Sequence, residues 1–300
     1  QILDKQFNDS ENPLLVKVVE SPMLNMVTTL PTIHNIGITD HTVDGFGAYV
    51  GEDFAYHEYA NMVQKVVELE LKSDLAGERR SQLQEFRDKL KGVKKKSTVN
   101  EVLGTYRGLL PEEFYTNAHE QLLYVIKLFY SLFQLNPSSQ DSNLVIQAMV
   151  FGNYGQNSGF GSFFTHDIIS GEDRITGEYY ERAFDAREKE GVPLEEVSSA
   201  LRNELERIGS ELEKHFREIR QVNFTVENGK LWVIDQRPVP NKSTQAEIRT
   251  LLDLQAVIDD AAGALGLFQR AFLVANDADH RVARLGVGGV QYARLGEVLR

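Results

Sequence analysis

Residues 149–161 form a glycine-dense segment whose residue types suit phosphate binding. The segment reads Met-Val-Phe-Gly-Asn-Tyr-Gly-Gln-Asn-Ser-Gly-Phe-Gly. Glycines at this density are expected where the backbone needs a positive φ or approaches a ligand closely, and successive exposed N–H groups can bind an anion. No Gly-Lys-Ser/Thr follows, and the apolar run 162–165 predicts a strand, so the segment is neither a Walker loop nor a Rossmann fingerprint. A phosphate-binding loop and a ligand-free, glycine-rich hairpin are equal alternatives on this pattern alone.

The composition narrows the class of protein. The chain has 300 residues, of which 42% are hydrophobic and 25% are charged, as in a soluble globular protein of one large or two modest domains. Its net charge of −12 argues against general binding to nucleic acid or to an anionic membrane. It has no cysteine, which excludes disulfides, thiolate catalysis and zinc–thiolate sites and fits a cytoplasmic location. No apolar run reaches membrane-spanning length, and we expect no signal peptide in residues 1–5.

The sequence before the glycine-dense segment predicts two strands and a mainly helical region between them. Apolar runs predict the strands at 14–19 and 145–151, whereas residues 21–47 carry few helix signals and are predicted to be irregular. A charged helical pattern covers 54–90. A clearer helix is predicted at 117–133, where six apolar residues recur at helical spacing: Leu122, Val125, Ile126, Phe129, Leu132 and Phe133.

The second half of the chain predicts a long helix and a hairpin. The helix follows Pro193 and runs to about Arg220, and its apolar seam either packs inside the domain, which its short length favours, or meets a partner helix in a homo-oligomer. Asn228-Gly229 between two apolar runs predicts the hairpin. A helical pattern then covers 245–265, and residues 276–300 are predicted to be a loosely packed tail. The whole order predicts an α+β fold.

Several motifs, in the same order along residues 12–245, resemble the nucleotide-binding region of the pyruvate phosphate dikinase family. The glycine-dense segment and the Phe164-Thr165 pair resemble its pattern Q-x-M-V-F-G-N-M-G-x-x-S-G-T-G-x-x-F-T-R-N-P. Residues 212–216 and 224–232 resemble its L-E-K-H-Y and E-F-T-I-E-x-G-K-L-Y. Shorter matches occur at 35–40 (N-L-G-L-N-D), 54–56 (F-A-Y) and 120–127 (E-Q-L … I-K).

The resemblance implies an ATP-grasp-like nucleotide-binding domain with a helical insert subdomain, and it predicts four parts. These are a partial first ATP-grasp subdomain (1–53 and 134–148), the helical insert (54–133), the glycine-loop and hairpin subdomain (149–245), and a C-terminal helix with a mobile tail (246–300). In the family, this domain uses ATP and Mg²⁺ to phosphorylate a histidine on a separate domain, and a barrel passes the phosphoryl group to pyruvate. The chain shows no G-G-x-T-S-H segment and no barrel, which implies a phosphohistidine or phosphoenolpyruvate/pyruvate domain on another chain as partner.

The resemblance also assigns candidate site residues. Arg237 is the candidate catalytic residue. Asp235 is a candidate metal ligand, with a solvated or ion-paired carboxylate as the commoner alternative. His166 replaces an arginine of the pattern and is either a phosphate contact or, more commonly, an exposed loop residue. The candidate nucleotide contacts are Met149, on the strand that contacts adenine in the family, and Gly152, Gly155, Ser158, Gly159, Gly161 and Thr165.

Most charged positions of the family pattern are altered in this chain. Its acidic D-x-E becomes Gln221 and Asn223. An arginine that faces phosphate in the family becomes Val19, and a second arginine of the same segment becomes Met23. Phosphoryl transfer depends on Lys or Arg side chains and on Mg²⁺, which prefers anionic oxygen ligands. We therefore expect phosphoryl transfer to be weakened or lost. The chain also differs from the family pattern in three other segments. The family has M-P-G-M-M-D-T at residues 26–32, N-A-Q-G-E-D at 182–187 and Q-T/C-R at 235–237.

Two functions follow from these observations. The first is a divergent ATP-grasp module, a kinase-like phosphotransferase domain by descent, that still binds nucleotide. The second is a catalytically degenerate pseudoenzyme that acts as a regulatory or scaffolding module through protein contacts.

Overall fold

The computed structural model describes residues 4–21, 30–73, 77–135, 143–187 and 189–249. It divides the chain into two compact units, with the boundary after Met149. None of the helices in these ranges is both long enough and apolar enough to span a membrane. The predicted α+β class is confirmed. The four-part division into ATP-grasp subdomains stays a prediction.

The first unit contains a three-stranded antiparallel sheet and a group of helices. Strand β1 (Val16–Ser21) lies between β2 (Ile33–Ile36) and β3 (Asn143–Ala148). The helices are α1 (Val43–Val50), α2 (Glu52–Glu70), α3 (Gly77–Leu90), α4 (Lys96–Tyr106), α5 (Glu112–Thr116) and α6 (Ala118–Leu135), with a 3₁₀ turn at Arg107–Leu109.

Helix α6 confirms the apolar stripe predicted at 117–133. Its stripe is buried because most of the apolar residues at helical spacing fall on one face. The buried side chain of Gln121 lies on the same face. Its Oε1 accepts a 2.7 Å hydrogen bond from the backbone N–H of Gly37, and its Nε2 donates to the carbonyl oxygens of Ile38 and Phe114. A buried amide is stable here because every one of these bonds replaces a bond to water.

The second unit is built on a five-stranded antiparallel sheet with the order β6-β5-β4-β7-β8. The strands are β4 (Gly159–Phe164), β5 (Thr176–Glu181), β6 (Val192–Pro193), β7 (Arg220–Glu227) and β8 (Lys230–Pro238). Helix α7 (Ser199–Phe216) begins after the N-cap residue Ser198, whose hydroxyl accepts a hydrogen bond from Leu201 N.

One face of this sheet, the rear face, packs against α7. Leu205 and Ile208 of the helix lie in one buried cluster with Phe163 of β4 and Val222 and Phe224 of β7. The apolar seam of α7 therefore packs inside the unit, which was the favoured alternative. The homo-oligomer stays a prediction. We call the opposite face of the sheet the front face.

Several sequence predictions need correction. The region 21–47 is not irregular throughout, because it contains β2 and the first residues of α1. The helical pattern over 54–90 corresponds to two helices, α2, which begins at Glu52, and α3. Strands β5 and β6 were not predicted, since their short, polar sequences lack a clear apolar alternation. Residues 244–249 are helical, as predicted for the start of 245–265. The remainder of that helix, the tail 276–300, Met23 and residues 26–29 lie outside the described residues.

Candidate functional site

The glycine-dense segment is a loop followed by a strand. Residues 149–158 form the loop, and β4 begins at Gly159 and pairs with β5 on one side and β7 on the other. The predicted hairpin alternative is wrong, because β3, before the loop, pairs with β1, and β3 and β4 belong to different sheets. Gly159 and Gly161 are therefore residues of a central strand and not of the loop.

Three of the four glycines between 152 and 161 are required by packing. A Cβ at Gly159 would lie 2.2 Å from Oη of Tyr179, and a Cβ at Gly161 would lie 2.4 Å from the carbonyl oxygen of Glu178. A Cβ at Gly152 would lie 2.6 Å from the carbonyl oxygen of Ala183. Only Gly155 among the four has a positive φ, of 78°. Close approach of protein atoms thus explains much of the glycine density, whether or not a ligand binds.

The hydroxyl groups of Ser158 and Thr165 are hydrogen-bonded inside the second unit. Ser158 is fully buried, and its Oγ accepts a 2.9 Å hydrogen bond from the backbone N–H of Asn228 and donates to the carbonyl oxygen of Tyr154. The hydroxyl of Thr165 accepts a 3.0 Å hydrogen bond from the backbone N–H of Arg220. Both side chains therefore connect β4 or its preceding loop to the region of β7.

Met149 lies in the first unit. Its backbone N–H donates a 2.9 Å hydrogen bond to the carbonyl oxygen of Leu15, and its sulfur accepts one of 3.2 Å from the backbone N–H of Asn35. The other candidate site residues lie in the second unit.

His166 is not the exposed loop residue that the sequence favoured. Only 4% of its surface is exposed, and its Nδ1 lies 2.6 Å from Oε1 of the equally buried Glu213 on α7. Its burial follows from its position directly after β4, where the chain passes the end of α7.

The front face of the sheet brings Asp235 and Arg237 next to side chains of β7. Asn223 Nδ2 donates a 2.6 Å hydrogen bond to Oδ1 of Asp235, and Arg237 Nε donates a 3.0 Å hydrogen bond to Oε1 of Gln221. The strand register pairs the same residues, Asn223 with Asp235 and Gln221 with Arg237. Asp235 and Arg237 are exposed, so both are accessible to a ligand.

The hairpin that carries these residues forms for local reasons. Asn228 and Gly229 have φ values of 50° and 79°, the left-handed conformation that a two-residue turn of this type requires. Their predicted turn therefore joins β7 directly to β8.

A cavity of about 430 Å³ lies on the front face of the same sheet. Its lining includes the aromatic side chains of Phe160, Tyr180 and Phe184 and the hydrogen-bonding side chains of Ser162, Asn223 and Thr225. The rings of Phe160 and Tyr180 are stacked, with centroids 5.0 Å apart and an interplanar angle of 11°. Among the described residues, all of those that line the cavity have uncharged side chains.

Sequence reasoning missed the aromatic lining. Tyr180 lies on β5, which was not predicted, and Phe184 follows that strand. Phe160 was visible within the glycine-dense segment, but its orientation depends on the strand register that pairs it with Tyr180.

The described residues fit Mg²⁺ only in part. No three His, Cys, Asp or Glu side chains in the described ranges are grouped so that they could hold a metal ion. Asp235 offers a single carboxylate, and one of its oxygens already accepts a hydrogen bond from Asn223. Because Mg²⁺ is commonly bound by one or two carboxylates together with substrate phosphates, Asp235 would hold it only with a bound nucleotide.

The chain is similar in sequence to several pyruvate phosphate dikinases. It is 39% identical over 258 residues to the enzyme of Treponema pallidum. This alignment covers 83% of this chain and 28% of that protein. It is 28% identical to the enzyme of Clostridium symbiosum and 29% identical to that of Giardia intestinalis, with 78% and 84% of this chain covered.

The similarity extends over only part of these relatives. The matches span 28%, 30% and 32% of the three proteins, so the chain corresponds to less than a third of each. No protein-family model matches the chain. The similarity to the three relatives agrees with the family motifs along residues 12–245 and with the α+β fold. The chain is thus a homologue of the N-terminal ATP-grasp domain of the pyruvate phosphate dikinase family.

Proposed function

We propose that this chain is an ATP-binding module of the pyruvate phosphate dikinase type in which phosphoryl transfer is weakened or lost. The observation that carries the proposal is the pairing on the front face, where Asp235 and Arg237 are each hydrogen-bonded to an amide side chain. A carboxylate and a guanidinium remain available to a nucleotide. The amides opposite them carry no charge that could stabilise a metal-bound phosphoryl group.

Binding of ATP is supported by the residues that this face retains. A guanidinium is well suited to a phosphate, since it donates two parallel hydrogen bonds, and Arg237 is exposed. Asp235 supplies the anionic oxygen for Mg²⁺, and phosphate oxygens of the nucleotide complete the coordination. When bound, Mg²⁺ would neutralise negative charge on the phosphates.

Weak phosphoryl transfer is supported by the uncharged side chains of Gln221 and Asn223. Catalysis of phosphoryl transfer rests on positioning and on charges that stabilise the transition state. A hydrogen bond to a charged group contributes about 1.5–3 kcal/mol, and Gln221 and Asn223 stand where the family pattern has carboxylates. The loss of two such contacts would slow transfer by roughly two to four orders of magnitude at 1.4 kcal/mol for each factor of ten.

We also propose that the acceptor of the phosphoryl group is a histidine on a phosphohistidine domain of another chain, by analogy with the family. The proposed location of the protein is the cytoplasm. The regulatory or scaffolding function is the alternative outcome of the test below.

The test is thermal unfolding of the 300-residue protein with ATP, with Mg²⁺ and with both. At about one hundred times the dissociation constant, a bound ligand adds ~2.7 kcal/mol to the free energy of unfolding. We expect stabilisation by ATP that is reduced in the Arg237→Gln variant. No stabilisation at millimolar ATP would reject nucleotide binding and leave the regulatory or scaffolding function.

Phosphoryl transfer is measured separately. The protein is incubated with radiolabelled ATP and the phosphohistidine domain of the Treponema pallidum relative, and acid-labile label on the acceptor is counted. We expect a rate at least about a hundredfold below that of the relative's own nucleotide-binding domain. An equal rate would overturn the proposed loss of transfer.

A further inference from the structure

We infer that the basic segment 87–96 is a docking surface for an acidic segment of a partner protein. The segment reads Arg-Asp-Lys-Leu-Lys-Gly-Val-Lys-Lys-Lys and runs from the last turn of α3 to the first residue of α4. Six of its ten residues are Lys or Arg and one is acidic, in a chain whose net charge is −12. The inference does not depend on whether the protein binds a nucleotide.

Most of the lysines in this segment have no role in the fold. Four of them are exposed and form no side-chain hydrogen bond or ion pair with any residue of the described ranges: Lys89, Lys91, Lys94 and Lys95. Lys96 differs, because its Nζ lies 2.7 Å from Oδ1 of Asp44. Four ammonium groups are therefore accessible to a partner without the loss of an internal ion pair.

Two of these lysines stand where a helix opposes positive charge. Lys95 is the N-cap residue of α4 and makes no side-chain capping bond, and the first turn of α4 contains no acidic residue. The backbone N–H groups at a helix N-terminus carry partial positive charge, so nearby cations destabilise the helix, and Ser, Thr, Asp or Asn is preferred at the N-cap. Lys94 and Lys95 therefore do not stabilise α4, whereas carboxylates of a partner would compensate their charge.

The segment is anchored on both sides, so its lysines project from a fixed backbone. Leu90 and Val99 are fully buried before and after the loop. Nδ1 of His57 on α2 donates a 2.7 Å hydrogen bond to the carbonyl oxygen of Val93, and Gly92 supplies the turn with a φ of 72°. A preorganised surface loses less conformational entropy when a partner binds.

Charge and composition favour a protein partner over nucleic acid or a membrane. The segment contains no aromatic residue on which a base could stack. Its leucine, Leu90, is buried in the fold and is not available to insert into a bilayer. The net negative charge of the chain repels an extended polyanion. A short acidic segment of a protein can reach the lysines without approaching the remaining surface, and complementary charge gives it specificity.

The test is fluorescence anisotropy of a labelled peptide of alternating Glu and Gly, titrated with the full 300-residue protein. We expect saturable binding that weakens as salt is added, because salt screens exposed charges, and no binding of the corresponding Gln-Gly peptide. Lys94→Gln/Lys95→Gln should weaken binding about threefold to tenfold.

The matched control is Lys127→Gln/Lys214→Gln, which removes two exposed lysines from α6 and α7 and gives the same net charge. It should change the affinity by less than about 1.5-fold, because these lysines lie outside the segment. Equal effects of the two double variants, or no saturable binding of the Glu-Gly peptide, would overturn the inference.

Thermal unfolding of the same variants separates binding from folding. Because Lys94 and Lys95 oppose the start of α4, we expect Lys94→Gln/Lys95→Gln to be as stable as the wild type or more stable. A destabilised variant would show that the two lysines serve the fold, which contradicts the inference. Duplex DNA and phosphatidylserine vesicles are titrated in parallel, and tighter binding of either one that depends on Lys94 and Lys95 would overturn the assignment to a protein partner.

Discussion

The side-chain amide of Asn223 donates a 2.6 Å hydrogen bond to the carboxylate of Asp235 across the β7–β8 pair. Two positions along the same strands, Arg237 donates to the amide oxygen of Gln221 in a second cross-strand bond. Each charged side chain is therefore opposite an amide, and each amide presents the atom that its partner needs: a donor to the carboxylate and an acceptor to the guanidinium. An added negative charge should therefore have opposite effects on stability at the two amide positions. At Asn223 it would face the carboxylate of Asp235, and at Gln221 it would face the guanidinium of Arg237.

Replacement of Asn223 by aspartate should make the stability of the protein depend on Mg²⁺. The variant places two carboxylates at hydrogen-bond distance, so their repulsion lowers the free energy of unfolding without metal, and Mg²⁺ relieves it. We expect a lower unfolding temperature in chelator and a larger Mg²⁺-induced rise than in the wild type, measured by thermal unfolding.

Gln221→Glu is the matched control for that prediction. It adds the same charge on the same strand, but opposite Arg237, where it forms an ion pair and not a carboxylate pair. Its stability should be unchanged or higher, with no new response to Mg²⁺. A response equal to that of Asn223→Asp would show that the pairing with Asp235 is irrelevant.

Ser158→Ala should destabilise the second unit by about 1–3 kcal/mol. The substitution removes a buried hydroxyl that accepts from Asn228 N and donates to the carbonyl oxygen of Tyr154, and it leaves both backbone groups to find other partners. Urea unfolding measures the change. Ser162→Ala makes the same chemical change on the front face of β4 and should cost less than about 0.5 kcal/mol. Equal losses in the two variants would contradict the role assigned to the Ser158 hydroxyl.

Gly161→Ala should destabilise more than Gly155→Ala. At Gly161 the new methyl group would lie 2.4 Å from the carbonyl oxygen of Glu178, so the strand pair must shift, at a cost of about 1–3 kcal/mol or more. At Gly155 the nearest atom is Oδ1 of Asn228 at 4.0 Å, and only the positive φ opposes alanine, at about 1–2 kcal/mol.

Chemical denaturation of both glycine variants checks this order. Nucleotide titration of the same variants shows whether the loop glycine also matters for binding. The reverse order of stability would mean that β4 adapts to a side chain at Gly161.

Tyr179 should make stability fall with pH in the alkaline range. Burial of the phenol, and secondarily the Glu181 carboxylate, raise the pKa of Tyr179 from 10.0 to about 12. Between these two values the unfolded chain releases the proton and the folded chain keeps it, so the free energy of unfolding falls as the pH rises. Below pH 10 both states are protonated, and Tyr179 contributes no pH dependence.

The measurement compares urea unfolding of the wild type and Tyr179→Phe at several values of pH from 9 to 12. Other tyrosines titrate in the same range, so only the difference between the two proteins is assigned to Tyr179. We expect a steeper decline for the wild type. Parallel curves would contradict the raised pKa.

The sequence predicted those elements whose cause is local. Asn228-Gly229 predicted the β7–β8 turn, because few residues adopt the positive φ values of 50° and 79° found there. The stripe on α6 and the seam on α7 predicted helices and their buried faces, since apolar spacing alone specifies them. Strand β5 was missed, because its sequence Thr-Gly-Glu-Tyr-Tyr-Glu acquires its role only between β4 and β6.

For the candidate site, the sequence by itself determined the residue types: glycines in one segment, an aspartate and an arginine two positions apart, and amides where the family has carboxylates. It also carried the relationship to the pyruvate phosphate dikinases, through motifs in a fixed order. Only the tertiary structure decided what each residue faces. Gly159 and Gly161 make room for Tyr179, Glu178 and Phe224, and Asn223 meets Asp235, because the pairing of β4, β5, β7 and β8 brings together positions distant along the chain. A one-residue shift of register would turn these side chains to the other face of the sheet.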